Sequence, residues 1–185
     1  MQLTEKQLES QTLYKGRILT LYHDKVQLEN GRTSSREVVR HPGGVTVLAL
    51  DQEQNAYFVR QFRYPYNRVI LELPAGKLDK GNESPLEAGA RELAEEIGMV
   101  AERYEDLGKL YPTPGYCDEI ISMYLATGLR AVPQHLDDDE FLEVEKIPLE
   151  QAVEMVLRGE IPDAKTQTLL LKAYLLLSRG ELRDK

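Results

Sequence analysis

Short apolar runs between turn residues fill the first two thirds of the chain. The most apolar of them is 45–50, which follows Gly43-Gly44 and precedes a polar turn at 51–55. Four to eight apolar or alternating residues between turn signals are typical of β-strands. Strands are predicted on this basis for eight further segments: 19–23, 25–29, 36–40, 57–64, 69–73, 104–111, 120–127 and 141–147.

Turn residues predict how some of these strands are connected. Asn30-Gly31 stands between two of them and is a strong hairpin signal. The polar turn after 45–50 predicts that 57–64 is the hairpin partner of that strand. The segment 76–84 is rich in glycine and polar residues and is predicted to be a loop.

Helical periodicity marks three segments. The segment 86–97 is preceded by Pro85, which suits the first turn of a helix, and is followed by Gly98, a typical C-cap. Two further amphipathic helices are predicted at 149–158 and 165–177. The order of strands, one helix, strands and two helices predicts a mixed α/β (α+β) sandwich and not a regular βαβ repeat.

The composition is that of one acidic globular domain. Among 185 residues, 31 are Asp or Glu and 23 are Lys or Arg, so the formal net charge is −8. This balance argues against nucleic-acid and anionic-membrane partners, which need a basic face. No apolar run is long enough to span a bilayer, the first ten residues show no leader pattern, and the single cysteine allows no internal disulfide. We therefore expect a cytoplasmic protein.

The helix predicted at 86–97 carries the strongest chemical signal. Glu92, Glu95 and Glu96 are spaced i, i+3 and i+4, so they lie on one face and repel one another unless a cation lies between them. Carboxylate oxygens suit Mg²⁺, and none of the three histidines has the spacing of a metal-ligand pair. Arg91 is placed to orient a carboxylate through a bidentate pair. A merely solvated acidic face is the alternative, and the glycine-rich loop before the helix argues against it.

This region resembles the signature of the Nudix hydrolases, a box of the form G-x5-E-x7-R-E-U-x-E-E-x-G-U in which U is a bulky aliphatic residue. The matching positions are Glu83, Arg91, Glu92, Leu93, Glu95, Glu96, Gly98 and Met99. One departure precedes them, because six residues instead of five separate Gly76 from Glu83, with Asn82 as the expected insertion. The resemblance implies a Nudix-type α/β/α sandwich with a mixed sheet, and hydrolysis of nucleoside diphosphates linked to a second group.

The resemblance also implies the metal site and the catalytic groups. Mg²⁺, with Mn²⁺ as the alternative, would be held by three carboxylates and one backbone carbonyl: Glu92, Glu95, Glu96 and Ala75. A general base is expected in the acidic loop 137–143, with Glu140 as the first candidate and Asp138 as the second. If this loop does not supply the base, Glu95 or Glu83 is the next candidate.

Outside the box, nearly the whole chain resembles the ADP-ribose pyrophosphatases. Pro114, in a loop after the helix, lies sixteen residues beyond the glycine that closes the box, as in that group. The other segments that resemble the group are 36–37, 58–63 and 159–165. The resemblance implies that Arg63 binds the diphosphate, that Pro114 contributes to substrate binding, and that Arg36 and Glu37 contact the nucleotide from the partner subunit.

A homodimer is therefore expected, in which the strands of residues 1–40 are exchanged and residues 41–185 form the Nudix domain. Residues 1–40 precede the first strongly apolar strand, which also favours exchange with a partner. The expected reaction is the Mg²⁺-dependent cleavage of ADP-ribose to AMP and ribose 5-phosphate. The alternatives are hydrolysis of another nucleoside diphosphate sugar, or a non-catalytic sensor of nucleotide sugars, against which the complete set of box carboxylates argues.

Overall fold

A computed structural model describes residues 3–78, 81–137 and 140–182. The helices in these residues are α1 Pro85–Ile97, α2 Leu149–Leu157 and α3 Ala164–Ser178. The strands are β1 Lys6–Lys15, β2 Thr20–Gln27, β3 Thr33–Arg40, β4 Gly44–Ala49, β5 Asn55–Arg63, β6 Arg68–Glu72, β7 Ala75–Lys77, β8 Met99–Leu110, β9 Ile121–Ala131 and β10 Leu142–Pro148. None of the described helices is both long enough and apolar enough to cross a membrane.

The chain divides into two compact units. The N-terminal unit comprises the chain up to Gly43 together with Tyr111–Ile120, and the larger unit comprises Gly44–Leu110 and the chain from Ile121 onward. The larger unit contains a four-stranded mixed sheet of order β7-β4-β9-β8, in which β4 and β9 run parallel and the other pairs run antiparallel. It also contains an antiparallel sheet of order β10-β5-β6.

Strand β4 shows why the helices form two layers. All six of its residues are buried, and successive side chains point to opposite faces of the sheet. Leu48 packs in the apolar cluster that includes Leu169 of α3, whereas Val47 packs in the cluster that includes Leu93 of α1. Helices therefore cover both faces of this strand, and the predicted α/β/α sandwich is confirmed.

The predicted hairpin between 45–50 and 57–64 is wrong. Strand β4 pairs with β7 on one edge and with β9 on the other, while β5 pairs with β6 and β10 in the second sheet. A single bridge, between Leu50 and Ala56, joins the two segments beside the turn. A turn signal shows that the chain reverses, but it does not show which sheet the second strand joins.

Two other predicted segments have different bounds. The predicted loop 76–84 begins later, because Ala75–Lys77 forms the short strand β7 on the edge of β4, with Gly76 opposite Val45. The predicted strands 19–23 and 25–29 are one continuous strand, β2. The remaining predicted strands and the three predicted helices are confirmed with somewhat different end points.

The N-terminal unit is built on an antiparallel sheet of order β1-β2-β3. The hairpin predicted at Asn30-Gly31 joins β2 to β3, and Gly31 adopts the positive φ of 78° that such a turn requires. Strand β1 has no counterpart among the predicted strands because its sequence is largely polar, and all ten of its residues are exposed.

Candidate active site

Helix α1 is fixed at both ends by its own sequence. The Oγ of Ser84 accepts a hydrogen bond from the N–H of Glu87 (3.2 Å), and Oε2 of Glu87 accepts one from the N–H of Ser84 (2.8 Å), which is a capping box. At the other end Gly98 has a φ of 63°, and a Cβ on it would lie 2.9 Å from the carbonyl oxygen of Val132. The acidic face of the helix therefore begins and ends at defined positions.

Arg91 is the centre of an ion-pair network on this helix. Its Nε and Nη2 each lie 3.0 Å from an oxygen of Glu83, which makes a bidentate pair. Its Nη1 donates to Glu92 at 2.8 Å and to Glu95 at 2.7 Å. The hydrogen bond to Glu83, followed by those to the other carboxylates, raises the pKa of Arg91. The extra residue before Glu83 thus does not separate it from Arg91.

Glu96 differs from the other carboxylates of the helix because it is only 3% exposed. Its Oε2 accepts a hydrogen bond from the N–H of Ala75 at 3.0 Å. Burial, and then the charges of Glu92 and Glu140, raise the pKa of Glu96 well above its usual range, and burial also raises the pKa of Glu92. A cation among these carboxylates would remove the repulsion between them and favour their ionised forms.

The backbone before the helix approaches the same carboxylates. Gly76 lies in β7, and a Cβ on it would lie 1.9 Å from Oε1 of Glu92, so that only glycine leaves room for this side chain. Ala75 is opposite Thr46 of β4. The carbonyl of Pro74 accepts hydrogen bonds from the N–H of Val47 (2.9 Å) and from Oγ1 of Thr46 (3.1 Å). Strand pairing therefore holds the Ala75-Gly76 backbone beside the helix.

The four predicted metal ligands thus come from two adjoining elements, β7 and α1. Ala75 contacts Glu96 directly, whereas Glu92 and Glu95 are both bound to Arg91. Among the residues that the structure describes, no three acidic, His or Cys side chains already have the spacing of a metal-binding group. The donors are nevertheless all oxygens, partly buried and crowded with negative charge, which fits a hard divalent cation.

Glu140, the first candidate for the general base, is half-buried and close to these carboxylates. Its charge contributes to the raised pKa of both Glu92 and Glu96. Its N–H donates to the carbonyl of Asp137 (2.9 Å), and its Oε1 lies 3.5 Å from Nε2 of Gln61. The second candidate, Asp138, lies outside the described residues.

Arg63 belongs to a charged cluster that sequence reasoning missed. Its Nε and Nη2 donate to the two oxygens of Glu72, at 2.6 and 2.8 Å, and Lys165 donates to the same carboxylate. The charge of Arg63 acts to lower the pKa of Glu96, which places the guanidinium near the acidic face. Glu72 and Lys165 are 93 positions apart in the sequence, so no local pattern could have connected them.

The other predicted substrate contacts lie in the N-terminal unit. Arg36, in β3, forms a bidentate pair with Glu5, with Nε 3.0 Å from Oε2, and also donates to the carbonyl of Ser35 at 2.7 Å. Glu37 is exposed and stands opposite His23. Pro114 is exposed in the loop between β8 and β9.

Comparisons with known proteins agree with this geometry. A model of the NUDIX domain matches residues 40–169, and a model of the nucleoside diphosphate sugar hydrolase N-terminal domain matches residues 5–39. The chain is 43% identical over 166 residues to the ADP-ribose pyrophosphatase of Bacillus subtilis (strain 168), covering 89% of each chain. It is 42% identical to the methanol dehydrogenase activator of Bacillus methanolicus, covering 88% of each. The crystal structure of an ADP compounds hydrolase, 23% identical, superposes with a TM-score of 0.82 and covers 96% of this chain and 97% of that one.

The fold and the carboxylate-bearing helix define a metal-dependent hydrolase of diphosphate bonds. The chain belongs to the Nudix family, and the similarity to that family's sequences extends over most of its length. Its substrate is accordingly a small nucleoside diphosphate compound, and a divalent metal is its cofactor.

Proposed function

We propose that this Nudix hydrolase cleaves ADP-ribose with Mg²⁺ and yields AMP and ribose 5-phosphate. The observation that carries the proposal is the complete acidic face of α1, where Glu96 is buried against the N–H of Ala75 and lies in the field of Glu92 and Glu140. The choice of ADP-ribose rests on the 43% identity, over 89% of the chain, to an ADP-ribose pyrophosphatase.

Glu92, Glu95, Glu96 and the carbonyl of Ala75 would hold Mg²⁺, with Mn²⁺ as the alternative. The metal, when bound, neutralises diphosphate charge and lowers the pKa of a coordinated water. The protein contributes the placement of these oxygens, since the pairing of β7 with β4 fixes Ala75 and the capping box fixes the helix. Arg91 holds Glu83, Glu92 and Glu95 in one network and so keeps their side chains on the metal-facing side.

Glu140 is the general base in this proposal. It takes a proton from water as the water oxygen bonds to one phosphorus, and the bridging P–O bond breaks to release two phosphate monoesters. Its proximity to Glu92 and Glu96 supports the role, because its charge contributes to the raised pKa of both predicted metal ligands. Gln61, 3.5 Å from Glu140, is placed to orient its carboxylate.

Arg63 would bind the diphosphate, because its charge reaches the acidic face from a residue outside α1. Pro114 would contact the substrate, and Arg36 and Glu37 would contact the nucleotide across the interface of a homodimer in which residues 1–40 are exchanged. The match of residues 5–39 to an N-terminal domain of nucleoside diphosphate sugar hydrolases supports a role of this region in such enzymes. That match also keeps another nucleoside diphosphate sugar as the alternative substrate.

A substrate screen tests the proposal. Purified protein with Mg²⁺ is given ADP-ribose, other nucleoside diphosphate sugars, NADH and dinucleoside polyphosphates, and the phosphate monoesters formed are measured with a coupled phosphatase. We expect the highest kcat/KM with ADP-ribose. If another sugar nucleotide has the highest kcat/KM, that compound is the substrate instead of ADP-ribose. Tight binding without any turnover would show that the protein is a sensor and not an enzyme.

The role of Glu140 is tested by Glu140→Gln. We expect kcat to fall by about 10²- to 10⁴-fold, the range of a positioned acid–base group, with little change in KM because the group meets water and not the diphosphate. Asp137→Asn is the matched control, because it makes the same change in an exposed residue of the same loop. Near-normal turnover of Glu140→Gln would show that Glu140 is not the general base. Asp138 would then be the next candidate, followed by Glu95 or Glu83.

A further inference from the structure

The carboxylate of Glu72 is among the most buried charges in the described part of the protein. The residue is 2% exposed, yet it receives hydrogen bonds from two cations. Arg63 donates through Nε (2.6 Å) and Nη2 (2.8 Å), and Lys165 donates through Nζ to the oxygen that Nη2 also contacts. Burial opposes ionisation of Glu72, but these hydrogen bonds and charges outweigh it and lower its pKa.

The strand register shows how Arg63 reaches this carboxylate. In the pairing of β5 with β6, Glu72 stands opposite Val59, four positions before Arg63 on the same strand. Positions 59, 61 and 63 share one face of β5, so the side chain of Arg63 lies back along its own strand. The bidentate pair uses the Nε–Nη2 edge of the guanidinium, and Nη1 donates no hydrogen bond within the residues that the structure describes.

Lys165 is held in turn by the start of helix α3. Its Nζ lies 3.0 Å from Oδ2 of Asp163, the N-cap residue, and its side chain is 12% exposed. The same Asp163 oxygen accepts from the N–H of Thr166 (2.9 Å) and from Oγ1 of Thr166 (2.6 Å), and that hydroxyl accepts from the N–H of Leu73 (2.9 Å). The first turn of α3 is therefore hydrogen-bonded both to Glu72, through Lys165, and to Leu73, through Thr166.

Stability alone does not account for this arrangement. A buried ion pair is often no more stable than apolar side chains of the same volume, because desolvation offsets the attraction between the charges. What the cluster does provide is orientation. A guanidinium at a strand end has many rotamers, and a bidentate pair with an immobile carboxylate leaves it essentially one.

We propose that Glu72 is a positioning residue for the substrate, braced by Lys165. It holds one edge of the Arg63 guanidinium so that the Nη1 edge is presented to the diphosphate. Neither Glu72 nor Lys165 contacts the substrate. This inference rests on the proposed role of Arg63 in binding the diphosphate.

A double-mutant cycle tests it, with kcat and KM measured on the substrate that the screen identifies. We expect Arg63→Ala to raise KM by about 10- to 100-fold, the worth of a charge-assisted hydrogen bond, and Glu72→Gln to raise it by about tenfold with kcat within about threefold. In the Arg63→Ala background Glu72→Gln should change KM by less than about twofold, because its effect passes through Arg63. Lys165→Met should show a smaller rise in KM that also vanishes in that background, and Lys165→Arg should restore the wild-type value.

Glu145→Gln is the matched control, since Glu145 also pairs with an arginine of β5, namely Arg60, but at an exposed site. It should leave KM unchanged. Equal effects of Glu72→Gln on KM with and without Arg63, together with a lowered melting temperature, would overturn the proposal in favour of a purely structural role. If Glu72→Gln does not fold, the double-mutant cycle of Lys165→Met with Arg63→Ala provides the test of the proposal.

An unchanged KM in Arg63→Ala would overturn both the role of Arg63 and the positioning role of Glu72, while leaving the diphosphatase activity intact. A failure of the ADP-ribose assignment can be distinguished from this result, because the screen then identifies a different substrate. The double-mutant cycle is measured with that substrate instead.

Discussion

At the scale of single residues, two buried carboxylates of the larger unit behave in opposite ways. Glu72 accepts hydrogen bonds from the side chains of Arg63 and Lys165, and its pKa is lowered, although burial alone would raise that pKa. Glu96 is equally buried, forms no ion pair within the described residues, and has a raised pKa caused first by burial and then by Glu92 and Glu140. The contrast shows where positive charge is missing, which is beside Glu96, since Arg91 pairs with the other carboxylates Glu83, Glu92 and Glu95.

The first prediction concerns Glu96→Gln. We expect kcat with Mg²⁺ to fall by at least about 10²-fold, because a metal ligand is weakened. The folded-state pKa of Glu96 is raised, so its contribution to the free energy of unfolding is fully present below the ordinary value of 4.5 and is lost as pH rises through the folded-state pKa. In EDTA, the variant should therefore gain stability over the wild type as pH rises from about 5 to about 8, as measured by urea unfolding. A constant difference across this range would contradict the account of Glu96.

Some of these side-chain contacts could be predicted from the sequence, and others could not. The position of Arg91 next to Glu92 predicts that it can orient a carboxylate, and the structure pairs it bidentately with Glu83, just before the helix. The pairing of Glu72 with Lys165 joins the end of a strand to the start of α3, and it follows only from the packing of the whole unit. Contacts within an intact local motif can be predicted from sequence, whereas contacts between distant elements cannot.

At the scale of elements, the signals that lie inside one segment gave the better predictions. Helix α1 is confirmed because its cap residues and its periodicity agree, and the Asn30-Gly31 turn is confirmed because its chemistry is local. The pairing of β4 was predicted wrongly, since its neighbour β9 begins more than seventy positions later in the chain. Strand β7 was missed because three residues that include Gly76 carry no strand signal of their own.

The second prediction belongs to β7 and its approach to α1. Gly76→Ala places a Cβ at 1.9 Å from the present position of Glu92 Oε1, so the carboxylate or the strand must move. We expect affinity for Mg²⁺, measured by calorimetric titration, to fall by about 10- to 100-fold, as for other changes that displace a ligand without removing it.

Gly89→Ala is the matched control for Gly76→Ala. It also adds a methyl group at a tight contact, 3.0 Å from Cγ2 of Val45 and of Val47, but it meets no carboxylate. Stability should change in this variant while Mg²⁺ affinity stays within about twofold of the wild type, because the shell around the ligands is untouched. Similar losses of affinity in both variants would show that crowding of the core, and not displacement of Glu92, is responsible.

At the scale of the whole molecule, the N-terminal unit has little core of its own. Its described residues include only Asp24, Val26 and Gly43 as buried positions, and Oδ1 of Asp24 is buried without a hydrogen-bond partner in the described part of the chain. Large apolar side chains are exposed instead: Leu3, Leu8, Leu13, Tyr14, Ile18 and Leu19. A sheet of this kind needs a second surface to cover it, and a second copy of the chain is the occupant that the proposed exchange supplies.

The last prediction is that the protein is a dimer held by this sheet. Light scattering should give twice the chain mass of 21.1 kDa. Leu8 and Leu13 of β1 are 43% and 52% exposed, so a charged residue at both positions costs a lone chain little but disfavours a covered interface. We expect Leu8→Glu/Leu13→Glu to be a folded monomer with a raised KM, because Arg36 and Glu37 would no longer reach the partner's site. Gln7→Glu/Gln11→Glu, which adds the same charge at polar positions of the strand, should remain more dimeric at equal concentration. A wild-type protein that is monomeric and fully active would contradict both the exchange of residues 1–40 and the roles given to Arg36 and Glu37.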